Sequence, residues 1–335
     1  MSTPDANALV WDGAPGHYEV HYATLTDPVT GTGVWIRQTM LAPTDGRPGE
    51  SAVWLAAMTQ DGERFARKLT LPLDAMTATA APFQLSTGPA VLTDRGMAGE
   101  VPDAAWELSW EPRLPPAELV HPLPRRAGLA RTVVVVPHPD LAISGTLSFG
   151  DRRLELDGVK GAQAHVWGSQ HAQRWAWAHA NDLTTPEGEP VEDSFFEGAS
   201  ARVVRGGREV GPATPLVARI RGRDLRATSP LRVLRTRSRF GLTTWHAEAQ
   251  AGSQRLTVEV DAPRASLVGV TYHDPDGTPA YCYNSEVASL RLHVWDRTGR
   301  GRFGWTLRET LQSAGRAHFE MGQREHLADV ELLVA

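Results

Sequence analysis

The segment from Trp175 to Asn181 alternates large and small side chains, and this pattern restricts what the chain can form there. In an extended chain successive side chains point to opposite sides, so Trp175, Trp177, His179 and Asn181 share one face and three alanines share the other. Two indoles followed by an imidazole and an amide are typical of a cavity wall with a polar end. We therefore predict a β-strand whose aromatic face binds substrate.

Similar short runs, rich in Val, Thr, Leu and aromatic residues, recur along the chain and are separated by Asp-Gly, Gly-Gly or Pro-rich turns. Examples are His17–Thr24, Val34–Met40, Ser51–Met58, Leu231–Phe240 and Val287–Trp295. The helix candidates are only two, Asp74–Thr79 and Leu307–Ala314. No repeat with the period of a propeller blade is present. The sequence thus predicts an all-β protein with few helices.

The length of 335 residues exceeds the size at which one hydrophobic core usually stops growing. An alternating aromatic strand opens each half of the chain, at residues 17–24 and 175–181, and a polar turn follows each strand. We therefore expect two lipocalin-like antiparallel β-barrel domains packed together, comprising residues 1–160 and 161–335.

Charge and cysteine content narrow the possible partners and location. The net charge of −5 argues against a general nucleic-acid binder, although residues 219–239 contain eight arginines. Arg235, Arg237 and Arg239 alternate with smaller residues, as on a strand with a solvated face. The sequence shows no membrane span or secretory signal and has one cysteine, Cys282, so we expect a cytoplasmic protein. Peripheral membrane contact stays open, and the sequence does not predict the oligomeric state.

The strand is flanked by further residues able to carry out chemistry. His165 and Trp167 precede it, and Phe195 and Glu197 follow it. A carboxyl group among aromatic side chains keeps its proton more readily, and aromatic faces stabilise a developing carbocation. We predict His165 and Glu197 as acid and base, Trp167 as a catalytic wall residue, and Phe195 as a substrate contact. No cofactor or metal is required for such chemistry.

These motifs resemble a known family. The run His165-Val-Trp167-Gly168, the Trp-x-Trp strand and the later aromatic-x-acid pair are similar to those of the carotenoid 1,2-hydratase and AttH-like group. Tocopherol cyclases and decalin-forming Diels–Alderases are more distant relatives of this group. Gly16–Tyr22, Gly33–Arg37 and Tyr281–Glu286 also resemble the group, so the likeness extends over nearly the whole chain.

The resemblance implies two lipocalin-like domains enclosing a large apolar site, and cofactor-independent chemistry on a terpenoid or polyketide. The family's catalytic His-x-Trp pair corresponds to His165 and Trp167. Its Tyr-x-Asp pair corresponds best to Phe195 and Glu197, where phenylalanine lacks the tyrosine hydroxyl. This difference argues against carotenoid hydration itself. It leaves a lyase, cyclase or isomerase acting on a hydrophobic unsaturated substrate, or a carrier that only binds a hydrophobic small molecule.

Three other kinds of site are alternatives to a pocket for a hydrophobic small molecule. His165, His171 and His179 could bind a metal, but their spacing matches no common ligand motif. Glu192 or Asp193 could pair with Glu197 in a glycosidase, with tryptophans stacking on sugar rings. A nucleophilic mechanism lacks both a Gly-x-Ser-x-Gly turn and a histidine next to Cys282 in sequence.

Overall fold

The computed structural model describes residues 6–121, 130–299 and 304–334. In these residues strands dominate, with one short α-helix, α1 (Pro230–Arg235), and 3-10 turns at Leu73–Ala75 and Arg264–Ser266. The strands are β1 (His17–Asp27), β2 (Thr32–Ala42), β3 (Glu50–Met58), β4 (Arg64–Pro72), β5 (Met76–Ala80), β6 (Phe83–Thr87), β7 (Ala90–Thr93), β8 (Gly96–Val101), β9 (Ala104–Pro112), β10 (Ala117–Glu118), β11 (Thr132–Phe149), β12 (Arg152–Gly168), β13 (Arg174–Ala180), β14 (Phe195–Arg205), β15 (Arg208–Ala213), β16 (Leu216–Ile220), β17 (Arg223–Ala227), β18 (Arg237–Phe240), β19 (Thr244–Ala251), β20 (Gln254–Asp261), β21 (Val268–His273), β22 (Pro279–Arg297), β23 (Trp305–Gln323) and β24 (Leu332–Val334). The all-β prediction with few helices is confirmed.

The first twelve strands form one sheet, in the order β4-β3-β2-β1-β12-β11-β9-β8-β7-β6-β5, with β10 beside β11. Its neighbouring strands are antiparallel, and β1 pairs along its length with β12, from Tyr18 opposite Gly168 to Leu25 opposite Gly161. The first strand of this sheet in chain order therefore lies beside the last one.

The other twelve strands form the second sheet, in the order β17-β16-β14-β13-β23-β22-β20-β19-β18. β15 pairs with β14, and β21 pairs with β22 and, in parallel, with β24. Here too the earliest strand lies beside a late one, because β13 pairs with β23. Each sheet has its own large apolar core, and the second includes the three alanines of β13.

Two further apolar clusters join the sheets. One combines Trp35 and Trp54 of the first sheet with Val268 and Cys282 of the second. The other combines residues of β1 and β12 with residues of β13, β14 and β16. The backbones also approach closely at Gly33, where a Cβ atom would lie 2.6 Å from the Cβ of Glu286. Burial on both sides thus makes the interface between the sheets part of the folded core.

Three local predictions were wrong. The helix candidate Asp74–Thr79 is a 3-10 turn as far as Ala75 and then belongs to β5, which pairs with β6. Leu307–Ala314 is part of β23, because it pairs with β22 over most of its length, and sheet pairing overrides the helical spacing of its apolar residues. Within the predicted strand Leu231–Phe240, residues up to Arg235 belong to α1, which begins with a proline at its first position. No helix in the described residues combines the length and apolar character needed to cross a bilayer.

The passage from one sheet to the other lies between Gly168 and Arg174. Residues 161–168, which the sequence analysis places in the second domain, continue β12 and pair with β1. Sheet membership therefore changes several residues after the predicted boundary at 160/161. The division into two domains at that boundary stays a prediction.

Candidate functional site

Strand β13 alternates as the sequence predicts. Ala176, Ala178 and Ala180 are completely buried in the core of the second sheet. Trp177 points the other way and packs with Tyr22 of the first sheet, the two rings meeting edge to face with centroids 5.9 Å apart. The aromatic face of β13 therefore lies in the interface between the sheets.

His179 is held there by a carboxylate. Strand β14 runs beside β13, and its register places Glu197 opposite His179. His179 Nδ1 lies 2.7 Å from Glu197 Oε2, and Trp177 Nε1 donates to Glu197 Oε1 over 2.5 Å. The other ring nitrogen, His179 Nε2, is buried without a hydrogen-bond partner among the described residues. A buried polar atom left unpaired is costly, so this nitrogen marks a candidate binding or proton-transfer position.

A second imidazole and carboxylate lie beside the first. The register of β13 and β23 places His318 directly opposite His179, and the rings stack with centroids 5.9 Å apart. His318 Nδ1 lies 2.6 Å from Glu286 Oε2 of β22. Their angle falls outside hydrogen-bond range, so this is a close electrostatic contact rather than an aligned hydrogen bond. The interface thus contains two adjacent histidine–glutamate pairs.

Arg37 of β2 crosses from the first sheet into the second. Its Nη2 donates to Asn284 Oδ1 over 3.0 Å and to Glu320 Oε2 over 3.2 Å, and its Nη1 donates to the Tyr272 hydroxyl. Trp175 Nε1 donates to the other oxygen of Glu320 over 2.6 Å. A single guanidinium therefore ties both sheets together.

The charges on this face can balance. Of the three carboxylates, Glu320 pairs with the guanidinium of Arg37, and Glu197 and Glu286 each lie against an imidazole, those of His179 and His318. Burial of a carboxylate without such a partner would be strongly unfavourable.

The hydroxyl of Tyr22 adds a neutral donor to the same face. Burial raises the pKa of Tyr22 well above its usual value, and the nearby charges of Glu197 and Glu320 raise it further. Tyr22 therefore stays protonated at any physiological pH.

His165 lies elsewhere, among residues that hold the N-terminal segment. Glu19 accepts four hydrogen bonds, from the backbone N–H groups of Val10 and Trp11 and from the side chains of His17 and His165. Nδ1 of His165 faces the carbonyl oxygen of Ala6 at 2.9 Å, while its Nε2 lies 2.8 Å from Glu19 Oε1. Both ring nitrogens of His165 are thus engaged by protein oxygens.

The structure does not place His165 and Glu197 around one pocket. Ala164 and Val166, the neighbours of His165 in β12, pack with the interface cluster that contains Trp177. Side chains alternate along a strand, so His165 points to the opposite face of the first sheet. A catalytic role for His165 stays a prediction, but its nitrogens are already occupied by protein atoms.

The other predicted residues are divided between these places. Trp167 packs with Val133 and Val135 on the His165 side. Phe195 lies in the interface, where its ring stacks on His179 with centroids 6.3 Å apart. Asn181 Nδ2 donates across the interface to Asp140 Oδ1 and to the carbonyl oxygen of Gly161. Trp175, Trp177, His179, Phe195 and Glu197 thus share the interface face, whereas His165 and Trp167 do not.

In the described residues, one group of three side chains could bind a metal ion: Glu19, His21 and His165. Their ligand atoms lie within 4.8 Å of one another. The imidazoles of His21 and His165 stack face to face, with centroids 3.9 Å apart and ring planes 17° from parallel. Both oxygens of Glu19 also already accept protein hydrogen bonds. The donor set fits a hydrogen-bonded anchor better than a metal site.

The hydrogen bonds around Glu19 depend on the charge of its carboxylate, which is lost in acid. Burial alone would raise the pKa of Glu19, but hydrogen bonds from His165 and His17 outweigh it and lower that pKa from 4.5 to about 2. Burial and the charge of His165 lower the pKa of His21 to about 3, which keeps His21 neutral.

A carboxylate with a lowered folded-state pKa stabilises the fold above its unfolded pKa. We expect the free energy of unfolding to fall as the pH drops from 4.5 to about 2, and to fall less steeply in Glu19→Gln. Urea unfolding across that pH range measures both slopes. Glu155→Gln, at an exposed ion pair, is the matched control and should follow the wild type; equal slopes in all three proteins would contradict the assignment.

The structure does not bring together the residues of the predicted alternatives, a glycosidase site and a three-histidine metal site. Glu192 is exposed, and Asp193 pairs with Arg219 at the surface, whereas Glu197 is buried, so the carboxylates of a glycosidase do not converge. His165, His171 and His179 each pair with a different carboxylate. A cavity of about 740 Å³ opens at one end of the second sheet, beside Trp245 and Arg291, and shares no lining residue with the interface face.

Sequence reasoning missed several residues of the interface, namely Tyr22, Arg37, Glu286, His318 and Glu320. The segment from His318 to Glu320 alternates polar, aromatic and polar residues, which is a usable strand signal. Its partner strand, however, lies more than a hundred residues away in the chain, so the signal could not be joined to His179 without the sheet register.

Comparisons with known proteins come from sequence and from structure. No protein-family model matches the chain. The uncharacterized protein Rv0493c of Mycobacterium tuberculosis (strain H37Rv) is 31% identical over 313 residues, covering 91% of this chain and 90% of the relative. The protein MT0513 of strain CDC 1551 matches to the same extent.

Three solved structures share the fold at low sequence identity. An AttH-type protein from Nitrosomonas europaea superposes with a TM-score of 0.56 at 13% identity, covering 92% of this chain and 93% of the other. CghA in complex with Sch210972 gives 0.59 at 10%, covering 97% and 96%. Kievitone hydratase from Nectria haematococca gives 0.51 at 10%, covering 92% and 88%. The chain belongs to the family of the mycobacterial protein Rv0493c, and it has the two-sheet, lipocalin-like fold of AttH-type proteins.

Proposed function

We propose that the protein is a cofactor-independent enzyme that protonates a hydrophobic unsaturated small molecule in the interface between its two sheets. The supporting observation is His179, a buried imidazole backed by Glu197, whose Nε2 has no partner among the described residues. Two structural neighbours, kievitone hydratase and CghA in complex with Sch210972, agree with chemistry on a small organic substrate.

The chemistry follows from the charges. In the proposed acid form both ring nitrogens of His179 carry a proton, so that Nδ1–H donates to Glu197 and Nε2–H is free to donate to the substrate. Transfer of that proton to an alkene carbon breaks the N–H bond, forms a C–H bond and leaves a carbocation on the neighbouring carbon. The indole of Trp177 and the rings of Phe195 and Tyr22 lie close enough to stabilise positive charge through their π faces. Glu197 holds His179 through Nδ1, as the carboxylate of a catalytic triad orients its histidine.

The fate of the cation decides the product. Loss of a neighbouring proton to Nε2 of His179 gives an isomer. Attack by a second double bond forms a ring and moves the cation to another carbon, which then loses a proton to the same nitrogen. Capture of water, with transfer of its proton to that nitrogen, gives an alcohol. His179 therefore takes the acid role that the sequence analysis assigned to His165, with Glu197 as its orienting partner.

Turnover tests this assignment. Incubation with a panel of terpenoid and polyketide alkenes, followed by liquid chromatography and mass spectrometry, detects hydration as the added mass of water, and isomerisation or cyclisation as a changed retention time. We expect Glu197→Gln and His179→Gln to lower kcat at least about 100-fold. Glu197→Gln removes the charged partner of His179, and His179→Gln removes the group that donates the proton.

The control is Glu192→Gln, which changes an exposed carboxylate near the same strand and should keep wild-type turnover. Ligand binding followed by tryptophan fluorescence should survive in all variants. Unchanged turnover in Glu197→Gln would refute the proposal, and tight binding without product from any alkene would favour the carrier alternative.

A further inference from the structure

The two ends of the second sheet meet at the surface of the molecule. β17 and β18 lie at opposite ends of the strand order, and α1 connects them. Ser200 Oγ of β14 and Ser238 Oγ of β18 lie 2.7 Å apart, so a side-chain hydrogen bond bridges this seam. α1 packs against β15 and β19. The helix and the hairpin formed by β14 and β15 are therefore neighbours on one surface.

Aliphatic side chains on this helix and hairpin are exposed. The described residues include eight strongly exposed large aliphatic side chains, and five of them lie here, between 39% and 76% exposed: Val203, Val204, Val210, Leu231 and Leu234. We call these five residues the seam patch. The hairpin turns at Gly206 and Gly207, where an added Cβ atom would meet nothing within 4 Å, so its tip projects from the sheet. Exposed apolar side chains gathered in one place are typical of an interaction site.

Unpaired arginines surround the seam patch. Four of them are exposed and make no ion pair with any described residue: Arg208, Arg232, Arg235 and Arg237. The nearby carboxylates, Glu209 and Glu248, each pair with a different arginine. This surface therefore carries an excess of positive charge, although the net charge of the chain is −5.

We propose that the seam patch binds the surface of an anionic lipid bilayer. Its leucines and valines would enter the apolar boundary of the bilayer, while the arginines would contact the phosphate groups of anionic lipids. Such binding is peripheral, because α1 has only six residues. The inference does not depend on the reaction proposed for the interface, since the seam patch shares no residue with that face.

Two other occupants fit the seam patch less well. In a two-fold symmetric dimer the patch would meet its own copy, so the same unpaired arginines would approach one another. Nucleic acid would be attracted by the arginines, but bases stack on aromatic side chains, and the exposed side chains here are aliphatic. An anionic bilayer uses both the apolar and the basic residues.

Co-sedimentation with sucrose-loaded vesicles tests the proposal. We expect the wild type to sediment with vesicles of equal parts phosphatidylcholine and phosphatidylglycerol, and to stay in solution with phosphatidylcholine alone. Arg232→Gln combined with Arg235→Gln should lower the partition coefficient about 30-fold, because each basic residue near an anionic surface contributes about fivefold. Leu231→Gln combined with Leu234→Gln should lower it at least about tenfold, because less apolar surface leaves water.

Matched controls lie in the first sheet. Arg67→Gln combined with Arg153→Gln changes the net charge by the same amount at two exposed arginines. Val29→Gln removes a valine that is 88% exposed in the turn between β1 and β2. Both controls should bind vesicles as the wild type does. A further measurement needs no variant: salt screens the arginines, so raising the salt concentration should release the wild type from the vesicles.

Several results would overturn the inference. These are a wild type that does not sediment, sedimentation with both kinds of vesicle alike or regardless of salt, and equal losses in the patch variants and their controls. A dimer in gel filtration that Leu231→Gln combined with Leu234→Gln converts to a monomer would assign the seam patch to a second copy. Binding of a DNA duplex without binding of vesicles would assign it to nucleic acid.

Discussion

Replacing Glu19 by alanine is expected to lower the free energy of unfolding by about 3–5 kcal/mol, the usual cost of removing one partner from a buried ion pair. The carboxylate is 1% exposed and accepts four hydrogen bonds, two of them from the backbone of the N-terminal segment. Its loss leaves Nε2 of His165 and two backbone N–H groups without their hydrogen-bond partner. Urea unfolding at neutral pH measures the change.

The comparison variant is Glu155→Ala, which removes a carboxylate from an exposed pair with Arg153. Surface pairs of this kind contribute about 1 kcal/mol or less. A loss in Glu19→Ala no larger than in Glu155→Ala would show that the N-terminal segment is not anchored by this carboxylate. Limited proteolysis supplies a second readout, because cleavage before residue 12 should accelerate in Glu19→Ala alone.

The second large effect is expected at Arg37. Arg37→Met should lower the free energy of unfolding by about 3 kcal/mol, because Glu320 is then left largely buried without its cation, and Asn284 and Tyr272 lose a donor. The long apolar side chain of methionine keeps most of the packing over Trp35. Thermal and urea unfolding both report the change.

A double variant separates charge from packing. Adding Glu320→Gln to Arg37→Met removes the stranded charge and keeps an oxygen for Trp175 Nε1, so part of the lost stability should return. Arg67→Met, at an exposed pair with Asp103, is the matched control and should cost no more than about 1 kcal/mol. A double variant less stable than Arg37→Met would show that the guanidinium acts by packing rather than by balancing Glu320.

The features of this fold that depend on residues close together in the sequence could be predicted from it. The face shared by Trp175, Trp177 and His179 follows from a period of two, and it holds in the structure. The same periodicity fails at Leu307–Ala314, where local spacing suggests a helix and long-range pairing with β22 makes a strand. Local patterns identify strands but do not identify their neighbours.

The candidate site depends on such neighbours. Glu197 could be found because it follows β13 closely in the chain, whereas His318 lies opposite His179 only through the pairing of β13 with β23. The direction of the His165 side chain could not be predicted either, because it depends on which residues of β12 face the second sheet, and these are Ala164 and Val166.

The pairing of early with late strands also has a kinetic consequence. β1 cannot complete its ladder until β12 has been made, and β13 must wait for β23, so each sheet closes through contacts between residues some 140 positions apart. Contacts this distant in sequence slow folding. During synthesis, the half of the chain that emerges first can close its sheet alone, but the imidazole pair forms only when His318 has left the ribosome. We therefore expect shortened chains to acquire the first sheet while lacking the pair formed by His179 and His318.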